Sequence, residues 1–510
     1  MRKLLKFITG RLFLSTVLII FQVGVLAYVI TSTSHNALWM QLFSAMSIIM
    51  TVVMLSKDEN PAYKIGWMLI FMVFPLYGGV FYILFGNKKF TSRISFKRES
   101  FYQAYNQGLK NVPKNEDAVW KVLAARDTDL GKQEQYLESI SGFPVCQNTA
   151  VKFYPLGEDW FVDMIEEVRK AKSFILLEFF IIEEGELWDL LLEVLLQKRW
   201  EGVEVRLMFD DLGAIQHIPN HYERKLRSLG LQVIAFNPLK PHLNIRMNCR
   251  DHRKVLVIDG NVGFTGGVNL SDEYANRKIL FGHWKDYAVR LEGDAVWNLT
   301  LMFMQLWVYS TSEELDFSRF IPTRKALSDG FVQPFGDNPL DDNNVAENAY
   351  IQIIGMAKKY VWITTPYLAL DNEMITVLRI CAQSNVDVRI VIPHIPDKWY
   401  AFSVSRSYYR SLIAAGVKIY EYTPGFIHAK TIISDDKVAI LGTINMDYRT
   451  FYLDFENGVA FYQCSIVKEI CSDLSAVFEV SHQVTEEEVR NTSLPRRLLR
   501  SVLKLTSPLI

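Results

Sequence analysis

The stretch that decides the fold of this chain occurs twice, as HRKVLVIDGNVGFTGGVN at residues 252–269 and HAKTIISDDKVAILGTIN at residues 428–445. Both copies read His-x-Lys-x4-Asp, then six residues, then Gly-[Gly/Thr]-x-Asn. At average residue frequencies, the His-x-Lys-x4-Asp part is expected by chance only about 0.03 times in a chain with nine histidines. Two copies with the same extension therefore indicate a duplicated functional unit.

Similarity between the two halves extends outward from this motif. Strand-like and helix-like segments alternate from about Cys146 onward, which predicts an α/β architecture. Three further pairs of segments match in the same order: SFILLEFFII (173–182) with KYVWITTPYL (359–368), GVEVRLMFDD (202–211) with NVDVRIVIPH (385–394), and GLQVIAFNP (230–238) with GVKIYEYTP (416–424). The sequence thus predicts two pseudo-symmetric α/β lobes, with a boundary in the polar stretch 320–345.

The first ninety residues differ in composition from the rest of the chain. Residues 12–56 and 65–87 contain no Asp, Glu, Lys or Arg. Three apolar segments within this region approach the roughly 20 residues of a membrane-spanning helix, and they are unlike the single short run of a signal peptide: Leu12–Ile30, Leu38–Leu55 and Ile65–Phe85. We therefore expect two or three N-terminal transmembrane helices and a multi-pass protein of the cell membrane.

The side of the membrane is less clearly indicated. Basic residues precede the first segment and follow the last: Arg2, Lys3, Lys6 and Arg11, then Lys88, Lys89, Arg93, Lys97 and Arg98. Basic residues beside a membrane span favour the cytoplasmic side. Two spans place both basic clusters on that side, but three spans do not. One of the three segments is therefore re-entrant or interfacial, or one basic cluster lies on the other side. Five cysteines without a C-x-x-C pair fit a reducing compartment. We favour a catalytic body on the cytoplasmic side.

These patterns divide the chain into four parts. We expect a membrane anchor at 1–90, a linker at 91–140, a first lobe at 141–325 and a second lobe at 326–510. The second lobe ends in LPRRLLRSVLKLTSPLI (494–510), where one side of a helix carries Leu498, Val502 and Leu505 and another carries Arg496, Arg500 and Lys504. This basic amphipathic C-terminus suits either an anionic membrane surface or a packed terminal helix.

Composition excludes several classes of protein. With 510 residues, 50% apolar and 22% charged, the chain is not a disordered, collagen-like or small disulfide-stabilised protein. The formal net charge of −1 combines +6 in residues 1–90 with −7 in the remainder. An acidic body argues against nucleic acid as a partner, because nucleic-acid-binding surfaces carry a basic surplus.

The residue types of the motif suit phosphoryl chemistry. In a strand, His252 and Lys254 share one face, as do His428 and Lys430. An imidazole can act as nucleophile or general acid/base near neutral pH, and a buried ammonium calls for an anion such as phosphate. Neither a C-x-x-C pair nor an H-E-x-x-H pattern is present. We therefore expect a site that works without a metal or another cofactor.

The other conserved positions of the two copies complete the candidate site. Asp259 and Asp435 belong to the candidate catalytic set, but they stand where a strand ends, which favours a structural supporting role over proton transfer. Glycines let a substrate approach the backbone and an Asn amide can donate to an anionic oxygen. The candidate phosphate-binding residues are therefore Gly267, Asn269, Thr443 and Asn445.

The repeat also nominates two acids as partners of the histidines. Aligning DYAVRLEGDAV (286–296) with ENGVAFYQCSIV (456–467) places Asp286 opposite Glu456. A catalytic histidine needs a carboxylate that fixes its tautomer and stabilises the imidazolium. We expect Asp286 to orient His252 and Glu456 to orient His428; the alternative is a pair of surface acids at strand ends.

The doubled motif resembles that of the phospholipase D superfamily, and the flanking blocks are similar to those of bacterial cardiolipin synthases. This similarity covers nearly the whole chain and implies two lobes whose motifs meet at one active site. Gly442-Thr443 departs from the Gly-Ser of many superfamily members but keeps the hydroxyl. The blocks are NCRDHRKVLVIDGNVGFTGGVNLSDEY (248–274), FGHWKDYAVRLEGDAV (281–296), TPYLALDNE (365–373), GFIHAKTIISDDKVAILGTINMDYRTFYLDFE (425–456) and the N-terminal NPAYKIGWMLIFMVFPLYGGVFYILFG (60–86).

The resemblance further implies a phosphatidyl transfer in two steps. One histidine attacks a first phosphatidylglycerol while the other protonates the leaving glycerol, and a second phosphatidylglycerol then takes the phosphatidyl group to give cardiolipin. We assign His252 as the nucleophile and His428 as the acid/base, although their sequence contexts do not decide this. The alternatives are hydrolysis by water, a phosphatidylserine-forming transferase, a membrane-anchored nuclease and a non-catalytic lipid-binding scaffold.

Overall fold

The computed structural model describes residues 28, 37–57, 60–73, 82, 96–110, 119–238, 249–327, 329–341 and 343–506. The chain divides into two compact units. One comprises Met1–Ile94, Asn237–Cys249 and Pro508–Ile510, and the other comprises Ser95–Phe236 and Arg250–Ser507. Both copies of the doubled motif therefore belong to the same, larger unit.

Two helices are described in the smaller unit, α1 (Ala37–Leu55) and α2 (Pro61–Val73). They pack against each other, and the hydroxyl of Ser47 donates to the carbonyl oxygen of Phe71 at 2.9 Å. Helix α1 coincides with the second predicted apolar segment and α2 with the first half of the third.

The predicted span Leu12–Ile30 lies outside the described residues except for Tyr28. Within the described parts of the chain, we find no helix that is both long and apolar enough to cross a membrane. The transmembrane part of the fold prediction therefore stays a prediction.

The segment 91–140, expected to be a linker, contains three helices in the described residues: α3 (Phe96–Leu109), α4 (Val119–Arg126) and α5 (Thr128–Ser141). Their apolar side chains enter the main core, where Leu123 and Leu137 are fully buried. Helix α5 begins separately from α4, because the carboxylate of Asp127 caps its N-terminus by accepting the N–H groups of Asp129 and Leu130. The linker prediction was wrong. The outer faces of these helices are polar, so the sequence resembles a linker although apolar side chains on the inner faces are buried.

The first lobe alternates strands and helices in the described chain. The sheet order is β1-β8-β6-β5-β2-β3-β4, with β2, β3 and β4 parallel and the remaining pairs antiparallel. The elements are β1 (Thr149–Tyr154), α6 (Gly157–Arg169), β2 (Phe174–Phe179), α7 (Glu186–Trp200), β3 (Glu204–Asp210), α8 (Asp211–Ala214), α9 (Tyr222–Ser228), β4 (Gln232–Phe236), β5 (Val255–Ile258), β6 (Val262–Gly266), a 3₁₀ turn (Asp272–Ala275), β7 (His283–Lys285), β8 (Ala288–Gly293) and α10 (Val296–Thr311).

The second lobe repeats this plan. Its sheet order is β9-β18-β16-β15-β10-β12-β13-β19, which matches the first lobe strand for strand and adds β19 at one edge. The elements are a 3₁₀ turn (Phe317–Phe320), β9 (Phe331–Asp337), α11 (Val345–Met356), β10 (Tyr360–Thr364), β11 (Leu368–Ala369), α12 (Asn372–Gln383), β12 (Asp387–Pro393), α13 (Trp399–Ile413), β13 (Lys418–Tyr422), β14 (Gly425–Ile427), β15 (Thr431–Ser434), β16 (Val438–Gly442), β17 (Met446–Asp447), α14 (Tyr448–Tyr452), β18 (Glu456–Tyr462), α15 (Ser465–Glu479), β19 (Ser481–Gln483), α16 (Glu486–Arg490) and α17 (Leu494–Thr506).

The sheet orders confirm that the two halves are duplicates, and the two lobes share the larger of two apolar clusters in the described residues. A single apolar cluster contains Leu176 of β2, Ile363 of β10 and the central helix α10, in which every residue from Val296 to Val308 is buried. Burial of such a contiguous apolar surface is the dominant favourable term in folding. The lobes therefore form one cooperative body.

The motif strands β5 and β15 are anchored at their far ends by the motif aspartates. Asp259 accepts the N–H groups of Lys172, Ser173 and Phe174 at 2.7–3.0 Å, immediately before and at the start of β2. Its φ of 51° lies in the left-handed region, which Asp tolerates better than most residues.

Asp435 does the same in the second lobe, accepting the N–H groups of Lys358, Lys359 and Tyr360 at 2.7–3.0 Å. At about 3.3 Å per residue, each aspartate lies about 16 Å along the chain from its motif lysine. The structural role expected for Asp259 and Asp435 agrees with this geometry, and their inclusion among the catalytic residues does not.

We predict that Asp259→Asn and Asp435→Asn each destabilise the protein by about 1–3 kcal/mol, because one neutral amide oxygen cannot replace a carboxylate that accepts three N–H groups. Asn also tolerates the left-handed backbone, so the change isolates the lost acceptors. Thermal unfolding of the full chain in detergent measures the effect, with exposed Glu193→Gln as the control. Loss of activity in a variant that is fully folded and as stable as the parent would contradict the structural role.

Candidate active site

The two motif histidines are held by the opposite lobe. The backbone N–H of His252 donates to the carbonyl oxygen of Phe455 at 2.9 Å, and that of His428 donates to the carbonyl oxygen of Lys285 at 2.7 Å. Strand β7 of the first lobe also pairs in parallel with β14 of the second, directly before His428. These backbone bonds bring the two motifs to one place at the lobe interface.

The ring of each motif histidine also contacts a carboxyl group of the opposite lobe. Nδ1 of His252 lies 2.9 Å from Oε1 of Glu456, and Nδ1 of His428 lies 2.6 Å from Oδ2 of Asp286. The structure therefore confirms that both acids contact the histidines, and it reverses the expected pairs. Within one sheet, β6 separates β8 from β5, which leaves two strand spacings, or about 10 Å, between an acid and its own motif strand.

A carboxylate at Nδ1 fixes the tautomer of each ring. The carboxylate accepts the Nδ1 proton and leaves the lone pair on Nε2. His428 has a second neighbour at Nδ1, the ammonium of Lys430 at 2.7 Å. Lys430 has another acceptor in the carbonyl oxygen of His428, so we assign the Nδ1 proton to the bond with Asp286.

The two motif lysines are buried beside the histidines. Nζ of Lys254 donates to the carbonyl oxygen of His252 at 2.5 Å, and Nζ of Lys430 donates to that of His428. Burial lowers the pKa of Lys254 to about 8 and that of Lys430 to about 7, despite the opposing effect of nearby carboxylates. Both lysines would gain from a bound anion that restores the stability of their charged forms.

Burial also sets the protonation of the rings and their acids. It lowers the pKa of His428 to about 4 and that of His252 well below its usual value, and the neighbouring lysines add to both shifts. Burial alone would raise the pKa of Asp286, but Lys430 and His428 outweigh it and lower that pKa. Burial raises the pKa of Glu456 well above normal, with Lys254 opposing. The two rings are therefore neutral at neutral pH, and the pKa values of their two acids are shifted in opposite directions.

Gly267 and Thr443 occupy equivalent positions and hold the two acids. A Cβ at Gly267 would lie 2.0 Å from Oδ1 of Asp286, so only glycine leaves room for that carboxyl group. The hydroxyl of Thr443 donates to Glu456. Their N–H groups donate to the carbonyl oxygens of Tyr287 and Asn457. These contacts occupy the donors that we assigned to phosphate, so both residues position the acids instead.

The two candidate phosphate-binding asparagines differ from each other. Asn269 accepts the N–H of Ile181 at 3.0 Å and donates to the hydroxyl of Tyr274 at 2.8 Å. Asn445 is buried, and its side-chain oxygen has no hydrogen-bond partner among the described residues. A buried amide group with unmet hydrogen-bonding capacity can be satisfied by a ligand.

Aromatic rings that the sequence analysis did not single out pack on the histidines. The ring of Phe180 lies 5.0 Å from that of His252, and the rings of Tyr274 and Trp284 lie 5.3 and 5.4 Å from that of His428. These rings exclude water and fix the imidazole planes. The three residues stand in or beside the matched sequence blocks, but the repeat does not pair them, so no pattern marked them.

Two family models match the chain. The model described as "Cardiolipin synthase, PLD-like domain" matches residues 164–279 and 350–479, which lie in the two lobes and contain both copies of the motif. The model described as "Phospholipase_D-nuclease N-terminal" matches residues 44–87.

Curated relatives cover nearly the whole chain. A protein called cardiolipin synthase from Halalkalibacterium halodurans is 34% identical over 90% of this chain and 91% of its own length. Another with the same name, from Geobacillus kaustophilus, is 34% identical over 92% of this chain and 93% of its own length. An uncharacterized protein from Streptococcus mutans is 40% identical over 88% of this chain and 96% of its own length.

Among solved structures, the phosphatidylserine synthase of Haemophilus influenzae superposes with a TM-score of 0.58 and covers 74% of this chain and 100% of its own. At 15% identity, this likeness concerns the fold alone. The similarity to the curated relatives is higher and extends across both lobes and both histidine motifs. The chain belongs to the cardiolipin synthase family of the phospholipase D superfamily.

Proposed function

We propose that this chain transfers a phosphatidyl group from one phosphatidylglycerol to a hydroxyl of a second, giving cardiolipin and glycerol. The observation that carries the proposal is the pair of crossed contacts, His252 with Glu456 and His428 with Asp286. Each motif histidine thereby presents Nε2 for reaction, and a buried lysine lies beside it. This set supplies a nucleophile, an acid and positive charge at one interface.

In the first step, Nε2 of His252 attacks the phosphorus of the donor lipid. A P–N bond forms, the P–O bond to glycerol breaks, and the glycerol oxygen takes a proton from Nε2 of His428. The bound phosphodiester adds negative charge beside His428 and so favours its imidazolium form, which the ionised Asp286 also stabilises. The lowered pKa of Asp286 thus favours His428 as the acid/base, which leaves His252, with its pKa well below the usual value, as the neutral nucleophile.

In the second step, the hydroxyl of the acceptor lipid gives its proton to His428. Its oxygen forms a new bond to phosphorus while the P–N bond to His252 breaks, so both histidines return to their starting forms. Lys254 and Lys430 neutralise the phosphate oxygens in both steps. The side-chain N–H groups of Asn445 and the second amide hydrogen of Asn269 are the further donors that we assign to those oxygens, whereas the side-chain oxygen of Asn445, unpaired among the described residues, can only accept a hydrogen bond from a ligand. No step draws on a metal or another cofactor.

We also propose that the N-terminal region anchors the enzyme in the cell membrane. The apolar segments Leu12–Ile30, Leu38–Leu55 and Ile65–Phe85 and the family match at 44–87 support this assignment. We place the boundary of the two lobes near 325/326 and the catalytic body on the cytoplasmic side. The acidic body fits a lipid substrate held by local lysines, and it disfavours nucleic acid.

We predict that His252→Ala and His428→Ala each reduce cardiolipin formation at least about a hundredfold, because removing a nucleophile or an acid/base costs that much or more. Thin-layer chromatography of lipids, after incubation of the membrane-bound chain with phosphatidylglycerol, measures the product. The surface change His482→Ala is the control and should leave activity unchanged.

The same chromatogram separates the alternatives. Phosphatidic acid with glycerol would identify a hydrolase, and a phosphatidylserine product only with serine present would identify the other transferase. DNA cleavage without lipid turnover would identify a nuclease. Substantial cardiolipin formation by either single histidine variant would overturn the paired-histidine scheme.

A donor lipid with an activated leaving group distinguishes the two histidines. The p-nitrophenyl ester of phosphatidic acid releases a phenol that needs no protonation. His428→Ala and Asp286→Asn should therefore still release a burst of one equivalent of p-nitrophenol, whereas His252→Ala and Glu456→Gln should lose or strongly slow it. Absorbance during a single turnover measures the burst. A burst in His252→Ala and none in His428→Ala would exchange the roles of the two histidines. A burst in Glu456→Gln like that of His428→Ala would refute the crossed pairs.

We predict an unusual pH dependence of kcat/KM. Below about pH 6.5 the rate should not fall as it would with an ordinary imidazole nucleophile, because burial keeps the pKa of His252 well below that value. Toward alkaline pH the rate should decline, because His428, with a pKa of about 4, must gain a proton before it can act as the acid, and the decline should steepen above pH 7–8 as Lys430, with a pKa of about 7, and Lys254, with a pKa of about 8, lose their charges. Initial rates in mixed micelles at constant ionic strength measure the profile. An acid limb near the usual histidine pKa would contradict the buried neutral nucleophile.

A further inference from the structure

The last described helix, α17, turns its apolar side toward solvent. Leu494, Leu498, Val502 and Leu505 are 66%, 60%, 59% and 47% exposed. At 100° per residue these four positions fall within about 80° of one another, so they form one continuous row along the helix. We refer to these four residues as the apolar row.

The opposite side of α17 packs on the body through basic residues. The helix lies against α13, Nζ of Lys504 is 4.2 Å from the centre of the Tyr408 ring, and Leu503 packs against the main core. Arg500, Leu503 and Lys504 are its half-buried residues. A helix on the surface of a soluble domain places its apolar stripe inward, and α17 has the reverse orientation.

We propose that the apolar row inserts into the surface of an anionic lipid bilayer and so docks the second lobe on the membrane. Arg497 is exposed beside the apolar row, about 60° from Leu494 around the helix, where it can pair with lipid phosphates. A helix whose apolar face enters the headgroup boundary while cations contact anionic lipid is a recognised form of interfacial binding. The choice of a bilayer rests on the proposed function, because the proposed substrate is itself a membrane lipid.

A second copy of the chain fits this surface less well. A stable protein–protein interface buries about 800 Å² per partner, and four half-exposed side chains on one helix are small against that area.

Spin labels on the full chain test the orientation directly. Leu498→Cys or Val502→Cys is labelled in a Cys249→Ser, Cys471→Ser background, and the protein is reconstituted in vesicles of phosphatidylcholine and phosphatidylserine. A label on Glu193→Cys, on the exposed side of α7, is the solvent control. Oxygen should relax the labels at 498 and 502 more strongly than a water-soluble nickel complex, and the nickel complex should dominate at 193.

The other outcomes overturn the proposal. Nickel-dominated relaxation at both positions would place the row in water. Spin–spin broadening between labels on separate chains would place it against a second copy. None of these readings depends on turnover, so failure of the docking proposal and failure of the proposed activity are distinguishable.

Activity gives a second, independent measurement. The double variant Leu498→Gln, Val502→Gln should turn over phosphatidylglycerol in vesicles several-fold more slowly, while its rate on short-chain phosphatidylglycerol dispersed in detergent stays unchanged. The matched control Lys468→Gln, Glu469→Gln, on the exposed side of α15, should change neither rate. An equal loss on both substrates would indicate damage to the fold, and no loss on vesicles would refute docking.

Discussion

The structure of the larger unit depends on one constraint: each motif histidine takes its carboxylate and its backbone acceptor from the other lobe. Glu456 and Phe455 hold His252, while Asp286 and Lys285 hold His428. Neither lobe contains a complete site, so the relative position of the lobes must be fixed within tenths of an ångström. The shared apolar core around α10 and the pairing of β7 with β14 provide that rigidity.

The two half-sites have the same plan but different electrostatics. The shorter acid, Asp286, fits against Gly267 and is ionised by the charge of Lys430, whereas Glu456 is held by the Thr443 hydroxyl and burial raises its pKa. Duplication produced two equivalent histidines, and the opposite pKa shifts of Asp286 and Glu456 place them in different electrostatic environments. A transfer in two steps needs this inequality, because one ring must attack while the other gives and takes a proton.

Much of the fold could be predicted from the repeat. Each matched pair of segments became an equivalent pair of strands, because short apolar runs bounded by loop residues are local properties that the sequence records. The sequence analysis missed the helices between 96 and 141. Their apolar residues are few, and they are buried only because the helices pack against the core of the lobes. The aromatic rings of Phe180, Tyr274 and Trp284 were missed for a similar reason: nothing local distinguishes a ring beside a histidine from one in the core.

The sequence by itself determined the duplication, the matched segments of the two lobes, the histidine–lysine pairs, the acids that serve them and the family. The tertiary structure alone decided which acid serves which histidine, which N–H groups Asp259 and Asp435 accept, and that α17 turns its apolar row outward. The physical reason is the range of the interactions. Strand patterns and motif spacing are set by neighbours along the chain, whereas an Nδ1–carboxylate contact joins residues 142 or 204 positions apart and forms only when two lobes pack.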